Sequence, residues 1–196
     1  ALALLAAAQF MVIMDTSIIG VALPEMQRAL GFSQSGLSWV FNAYVVVFGG
    51  LLLLGGRLSD LIGARRVFIA GWAILPGASI VAGLAGTAEL EIAGRALQGV
   101  GAALIAPSAL ALLMSLFGRE PRELTKAFAV YGAAAPAGGT AGVLLGGVPT
   151  EWVAWRSGFL INIPVRLAPL AATPPPQRAR PARRPRLPPP APRPPP

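Results

Sequence analysis

Two ionisable residues stand where the sequence is otherwise apolar, and they set the chemistry open to this chain. Asp15 falls inside the run Ala1–Pro24, which is otherwise interrupted only by Gln9 and two hydroxyl side chains. Counted back from Pro24, it lies about 13 Å along a helix that rises ~1.5 Å per residue, near the midplane of a hydrocarbon core about 30 Å thick. An Asp at a helix centre costs on the order of 2.5–3.5 kcal/mol on insertion scales. Such a group is retained by facing a bundle interior or an aqueous cavity, usually beside a partner. Arg95 is the basic residue that falls within an apolar run, about 6 Å inside its outer boundary when counted from Glu91. The expected arrangement is an Asp15–Arg95 pair. Guanidinium stays protonated in proteins, so Arg95 would favour ionised Asp15 and make its protonation responsive to a cationic substrate. The plainer alternatives are an Asp15 at the end of a shifted helix and an Arg95 that snorkels to the outer headgroups.

The elements that must position these groups are membrane-length. A spanning helix needs roughly 20 mostly apolar residues, and five stretches qualify: 1–24, 36–56, 67–86, 92–117 and 127–148, with a sixth opening at Gly158. These runs are apolar all round and lack the polar stripe of a surface helix. Gly138, Gly142 and Gly146 recur every four residues, a small-residue stripe that permits close helix contact. Pro107 and Pro136 are expected to kink spans four and five. Asn42 and Tyr44 of span two are candidates to line a substrate cavity, or simply to bond to a neighbouring helix.

Charge separates this body from the C-terminal segment. Over all 196 residues the formal net charge is +8, a balance that would ordinarily raise nucleic acid as a partner. Residues 1–164 hold nine Lys/Arg and all eight acids, whereas residues 165–196 hold seven Arg, no acid and 13 of the 20 Pro. The body is therefore near neutral, and nucleic acid is not expected as a partner. There is no Cys and no His, which removes disulfides, Cys-based metal sites and the commonest acid–base catalyst near neutral pH. No nucleophile–base pair, metal cluster or phosphate-binding glycine loop is evident either, so an enzyme is not expected.

Lys and Arg collect in alternate connectors. The stretches 57–66 and 118–126 carry three each, while 87–91 carries two Glu and no Lys/Arg. The positive-inside rule then puts the N-terminus and the ends of spans two and four in the cytoplasm, with Trp39, Trp152 and Trp155 near the outer boundary. In the first basic connector, Gly56-Arg57-Leu58-Ser59-Asp60-Leu61-Ile62-Gly63-Ala64-Arg65-Arg66, Gly63 would permit a tight turn. Arg65 and Arg66 would anchor the cytoplasmic side, and Asp60 would pair with them or accept from an exposed helix N-terminus.

At this point the chain resembles the major facilitator superfamily. The 56–66 segment looks like that family's signature loop between spans two and three. Arg95-Ala-Leu-Gln98-Gly99-Val-Gly101 resembles its fourth-span motif, associated with proton coupling. Met14-Asp15-Thr16 through Leu23-Pro24, and Trp155-Arg156 followed by 159–164, are similar to the drug:proton antiporter branch with fourteen spans. The resemblance implies an all-α membrane fold, the N-terminal half of a major-facilitator-type bundle, with Asp15 and Arg95 in proton coupling. It further implies a cytoplasmic gating loop at Gly56, Asp60, Gly63, Arg65 and Arg66, and packing or kink positions at Gly99, Gly101, Pro107, Pro136, Gly138, Gly142, Gly146 and Gly147. One departure is Val143, which stands where the span-five antiporter motif of that branch has Pro.

The resemblance makes the expected partners the lipid bilayer, protons and a small hydrophobic, often cationic substrate, with no cofactor beyond a proton gradient. The expected location is a bacterial-type inner membrane. Residues 165–196 read as a disordered or polyproline II Pro/Arg tail. With no initiator Met before it, Ala1 is not expected to be a natural start, and the break inside an expected sixth span makes out-of-frame translation of a GC-rich gene the expected origin of the tail. The expected function is therefore that of an N-terminal fragment of a proton-coupled multidrug exporter, inactive alone. The alternatives are a facilitator of a nutrient or secreted metabolite, and a non-transporting membrane protein whose tail binds lipid or a partner. Substrate identity and oligomeric state stay open.

Overall fold

A computed structural model of the chain describes residues 2–152, with side chains through residue 147. The expected sixth span at Gly158, Trp155, Arg156, the 159–164 segment and the 165–196 tail lie outside the described residues. Within them every regular element is helical: α1 (Leu2–Leu30), α2 (Gln34–Leu58), a π-helical turn (Ser59–Gly63), α3 (Ala64–Gly83), α4 (Ala88–Phe117) and α5 (Pro121–Trp152).

Local chemistry explains most of the breaks. Gly31, at φ 66°, ends α1 in the left-handed region that glycine adopts without steric cost. Ser33 then caps α2 by accepting from the Gly36 amide at 3.0 Å, and Thr87 caps α4 by accepting from the Leu90 amide at 3.3 Å. Pro121 opens α5 at a position where a missing amide proton costs no helical bond. Between α2 and α3 the helix is not broken by a loop. The chain passes through the π turn and reverses at Gly63, whose φ is 95°.

Several expected boundaries move. The helix goes on past the expected end of the first span: α1 runs to Leu30 with Pro24 inside it, and Ala22 and Met26 on either side are fully buried. The stretch 87–91 is not the expected connector, since α4 already begins at Ala88 and Glu91 is near its start. The stretch 118–126 shortens likewise, since Arg122, Glu123 and Lys126 are helical residues of α5. Pro107 lies inside an unbroken α4 and Pro136 inside an unbroken α5.

The helices pack through glycine. Gly99 of α4 lies against Tyr44 and Phe48 of α2, and Gly55 of α2 against Ala103 and Pro107 of α4, so α2 and α4 run parallel. Gly71 of α3 meets Gly101 and Ile105, while Gly94 of α4 meets Ala82, so α3 runs antiparallel to α4. α2 and α3 therefore traverse the bundle in opposite directions although no loop separates them. Gly138, Gly142 and Gly146 of α5 meet Phe10, Met14 and Ile18 of α1 in steps of four on both sides, which makes those helices parallel and in register. Gly147, expected to share in this packing, has open space where a side chain would stand.

Two apolar clusters form the interior. One joins Met11 and Met14 of α1 to Phe68, Trp72 and Leu75 of α3, Ile105 and Leu113 of α4 and Tyr131 of α5. The other joins Ile19, Ala22 and Met26 of α1 to Val40 of α2 and Ala82 of α3. The outside is equally apolar: Leu53 is 83% exposed and Leu61 78%. Large apolar side chains facing outward over whole helices are the surface expected of a bundle solvated by lipid or by more protein. The four unbroken helical stretches, with α2 and α3 counted as one, are each long and apolar enough to cross a membrane.

Candidate functional site

Between the two apolar clusters sits a layer of polar side chains. Asp15 is at the middle of α1, one residue past Met14 of the first cluster and four before Ile19 of the second. Arg95 and Gln98 stand one turn apart on the same face of α4, and Ser79 faces them from α3. All four are buried, with Arg95, Gln98 and Ser79 at 0% exposure.

The bonding in this layer is directional. Arg95 donates from Nη1 to Asp15 Oδ2 at 3.1 Å, an ion pair shielded on both sides from solvent. The same Nη1 donates to Gln98 Oε1, and Nε donates to the Val40 carbonyl of α2 at 3.1 Å. Gln98 in turn donates from Nε2 to Ser79 Oγ at 2.9 Å and to Asp15 Oδ1 at 3.5 Å. Ser79 donates onward to the Leu75 carbonyl of its own helix. The Arg95 guanidinium carbon lies 4.7 Å from the centre of the Tyr44 ring, and that ring stacks on Phe48. One guanidinium thus ties α1, α2 and α4 together, with α3 reached through Gln98.

The close approach of α4 to α2 is a glycine effect. A methyl group at Gly99 would stand 2.7 Å from the Tyr44 carbonyl, closer than a side-chain carbon is tolerated. Gly99 therefore lets α2 come near enough for Tyr44 and Val40 to reach Arg95, while Gly101 performs the same service toward α3. The expected association of Gly99 and Gly101 with helix packing is a matter of two different neighbours.

The structure brings Asp15, Arg95 and Tyr44 together and leaves other candidates apart. Asn42 is exposed on α2, whereas Tyr44 is buried beneath Arg95. Residues two apart on a helix point about 200° from one another, so the two do not line one surface. In the basic connector, Asp60 is exposed within the π turn and forms no ion pair with Arg65 or Arg66 among the described residues. Arg65 and Arg66 belong instead to the first turn of α3, beyond the reversal at Gly63. Gly63 supplies the reversal expected of it, and Gly56 lies in the last turn of α2 near the Pro107 ring.

Three participants escape a reading of the sequence for charge alone. Gln98 stands out in the sequence only as part of a motif, although its i, i+3 relation to Arg95 puts it on the same helix face. Ser79 carries no sequence signal that separates it from any other helical serine. Glu91, at the end of an expected connector, is instead fully buried one turn before Arg95 on α4. At the opposite end of the first cluster, Tyr131 Oη donates to Gln9 Oε1 at 2.8 Å and joins α5 to α1.

These features define an all-helical, multi-pass membrane protein built around a buried carboxylate–guanidinium network. The family model described as Major Facilitator Superfamily matches residues 5–195, and the chain belongs to that family. It is 48% identical over 165 residues to the cephamycin export protein of Amycolatopsis lactamdurans, covering 84% of this chain and 34% of that protein. It is 46% identical over 166 residues to the puromycin resistance protein of Streptomyces alboniger, covering 85% of this chain and 33% of the relative. A methylenomycin A resistance protein of Bacillus subtilis is 37% identical over 169 residues, 86% of this chain and 36% of the relative. The chain spans about a third of the length of the curated relatives it matches.

Proposed function

We propose that this chain forms the N-terminal bundle of a proton-coupled exporter of hydrophobic, often cationic compounds, and that it does not transport by itself. The observation that carries the reading is the Asp15–Arg95 ion pair, which joins the middle of α1 to α4, bonds to α2 at Val40 and reaches α3 through Gln98. Protonating Asp15 removes its attraction for Arg95 and loosens the joint between α1 and α4. A proton therefore becomes a mechanical event at the place where four helices meet. The names of the relatives, which are export and antibiotic resistance proteins, support export of drug-like molecules as the direction and substrate class.

Transport by alternating access takes two bundles that rock about a site near the midplane, and the described residues make one. In the proposed orientation the start of α1 and the π turn face the cytoplasm, following the Arg-rich composition of the 57–66 segment. The coupling ion is the proton, with no other cofactor.

The test uses a full-length exporter carrying this segment, reconstituted in vesicles with an internal pH dye. Substrate-dependent proton movement is expected for the native protein and is expected to vanish for Asp15→Asn. Unchanged proton movement in that variant would overturn the assignment of Asp15.

A further inference from the structure

The end of the bundle opposite the π turn holds a cavity of about 320 Å³, lined by Phe32, Ser33 and Gly36 where α1 gives way to α2, and by Ala88, Glu89 and Ile92 at the start of α4. It follows from two abrupt helix ends. Gly31 closes α1 at φ 66° and Ser33 already caps α2, so Phe32 between them is buried beneath the turn. Phe32, Ala88 and Ile92 belong to the second apolar cluster, which gives the cavity an apolar floor. Glu89 is exposed and, among the described residues, has no ion pair or hydrogen bond. The neighbouring carboxylate at this end, Glu25, is held by Arg28 at 3.0 Å. We propose that the cavity binds an organic ammonium ion with a short apolar arm, Glu89 facing the cation and the Phe32–Ile92 floor taking the arm.

The lining decides among ligand classes. Two helix N-termini meet here, but Ser33 and Thr87 already cap them, and the carboxylate in the wall repels an anion. A calcium ion takes six or more oxygen ligands, and one carboxylate over an apolar floor offers too few. An ammonium with an apolar arm matches both halves of the lining, the usual division of small-molecule sites into apolar walls and a few placed polar groups. The first turn of a helix favours an acid by itself, which accounts for the charge of Glu89 but not for the cavity beside it. The site is separate from the ion pair. One turn further along α2, Gly36 is followed by Val40, and one turn further along α4, Ile92 is followed by Arg95. The second apolar cluster therefore stands between the cavity and the buried network. A drug-like amine and the ethanolamine headgroup of a phospholipid share the chemistry required.

The test needs neither transport nor a proton gradient. The chain, purified in dodecyl maltoside, is titrated with ethidium, an aromatic cation, and binding is read by fluorescence anisotropy. Saturable binding is expected, weakened about fivefold in Glu89→Gln, the scale of a partly screened charge pair, and unchanged in Glu25→Gln. In chain labelled with nitrogen-15 glycine, the Gly31 and Gly36 amide signals are expected to shift with ethidium, and the Gly63 signal at the far end to stay. Phosphatidylethanolamine added to the micelles separates the two sources. Competition with ethidium assigns the cavity to a lipid headgroup, and its absence to a free organic cation. No saturable binding, native affinity in Glu89→Gln, equal weakening in Glu25→Gln, or Gly31 and Gly36 signals that do not move would overturn the proposal. Should Glu89→Gln fail to fold, the glycine signals of the native chain decide without it. Loss of proton movement in the full-length Asp15→Asn exporter, by contrast, bears on the transport reading alone.

Discussion

The guanidinium carbon of Arg95 lies 4.7 Å from the centre of the Tyr44 ring, while Nε of the same side chain donates to the Val40 carbonyl. Both contacts are to α2, and a cation over an aromatic face contributes ~2 kcal/mol when desolvated. Tyr44→Phe keeps the ring beneath the cation and is expected to lower the thermal stability of the detergent-solubilised chain by less than Tyr44→Ala does. Tyr44→Ala removes the ring beneath a buried cation and is expected to destabilise by about 3–5 kcal/mol, in the range of other buried aromatic truncations. Equal stability of the two variants would refute the contact.

Arg95→Lys keeps the charge and loses the fork. Arg95 serves Asp15, Gln98 and Val40 from two nitrogens, Nη1 and Nε, of one rigid planar guanidinium. An ammonium is a single point of donation on a flexible stem. The expected result is a retained bundle with substrate-dependent proton movement of the full-length exporter reduced at least tenfold. The comparison with Arg95→Leu separates charge from geometry. That variant leaves Asp15 as an uncompensated buried charge, with a stability loss of about 3–5 kcal/mol expected.

Much of this arrangement is legible before any coordinates, and the misses share a cause. Hydropathy marks which residues prefer lipid, so it locates Asp15 and Arg95 within apolar runs. It does not mark where backbone hydrogen bonding stops. That is why α5 begins at Pro121 rather than Ala127, and why α1 passes through Pro24. Glu91 is misplaced in a connector for the same reason: a charge suggests solvent, when the helix has already begun and carries it inside. Asn42 and Tyr44 show the limit from the other side. Both are polar residues of one span, but only the helical angle between them reveals that they face different surroundings. The Gln98–Ser79 bond depends on how α3 and α4 are placed against each other, which no local pattern encodes.

The α1–α5 contact offers a sharper test of packing. A methyl group at Gly142 would stand 2.6 Å from both the Met14 carbonyl and the Ser17 side chain, whereas Gly147 has nothing within 4 Å. Overpacking of a tight interior costs typically about 1–3 kcal/mol. Gly142→Ala is therefore expected to lower stability by about that amount, and Gly142→Val by more. Gly147→Ala, five residues on, is expected to be neutral or slightly stabilising, since Ala is the better helix former. Thermal unfolding of the three variants in one detergent checks the order.

Gly63 carries the reversal between α2 and α3, and its role is conformational rather than one of space. Nothing lies within 4 Å of the position a Cβ would take, so Gly63→Ala meets no neighbour. Its φ of 95° is nonetheless a backbone state that residues with a Cβ rarely adopt. Holding alanine there is expected to cost roughly 1–3 kcal/mol, or to push the π turn of Ser59–Gly63 into a different hydrogen-bonding pattern. Ser59 Oγ donates to the Gly55 carbonyl at 2.9 Å, so a rearranged turn would release a buried hydroxyl next to the α2–α4 contact. Hydrogen exchange of the 55–66 amides reads both outcomes. Faster exchange in Gly63→Ala than in the native chain is expected, and native-like protection there would show that the reversal does not depend on glycine.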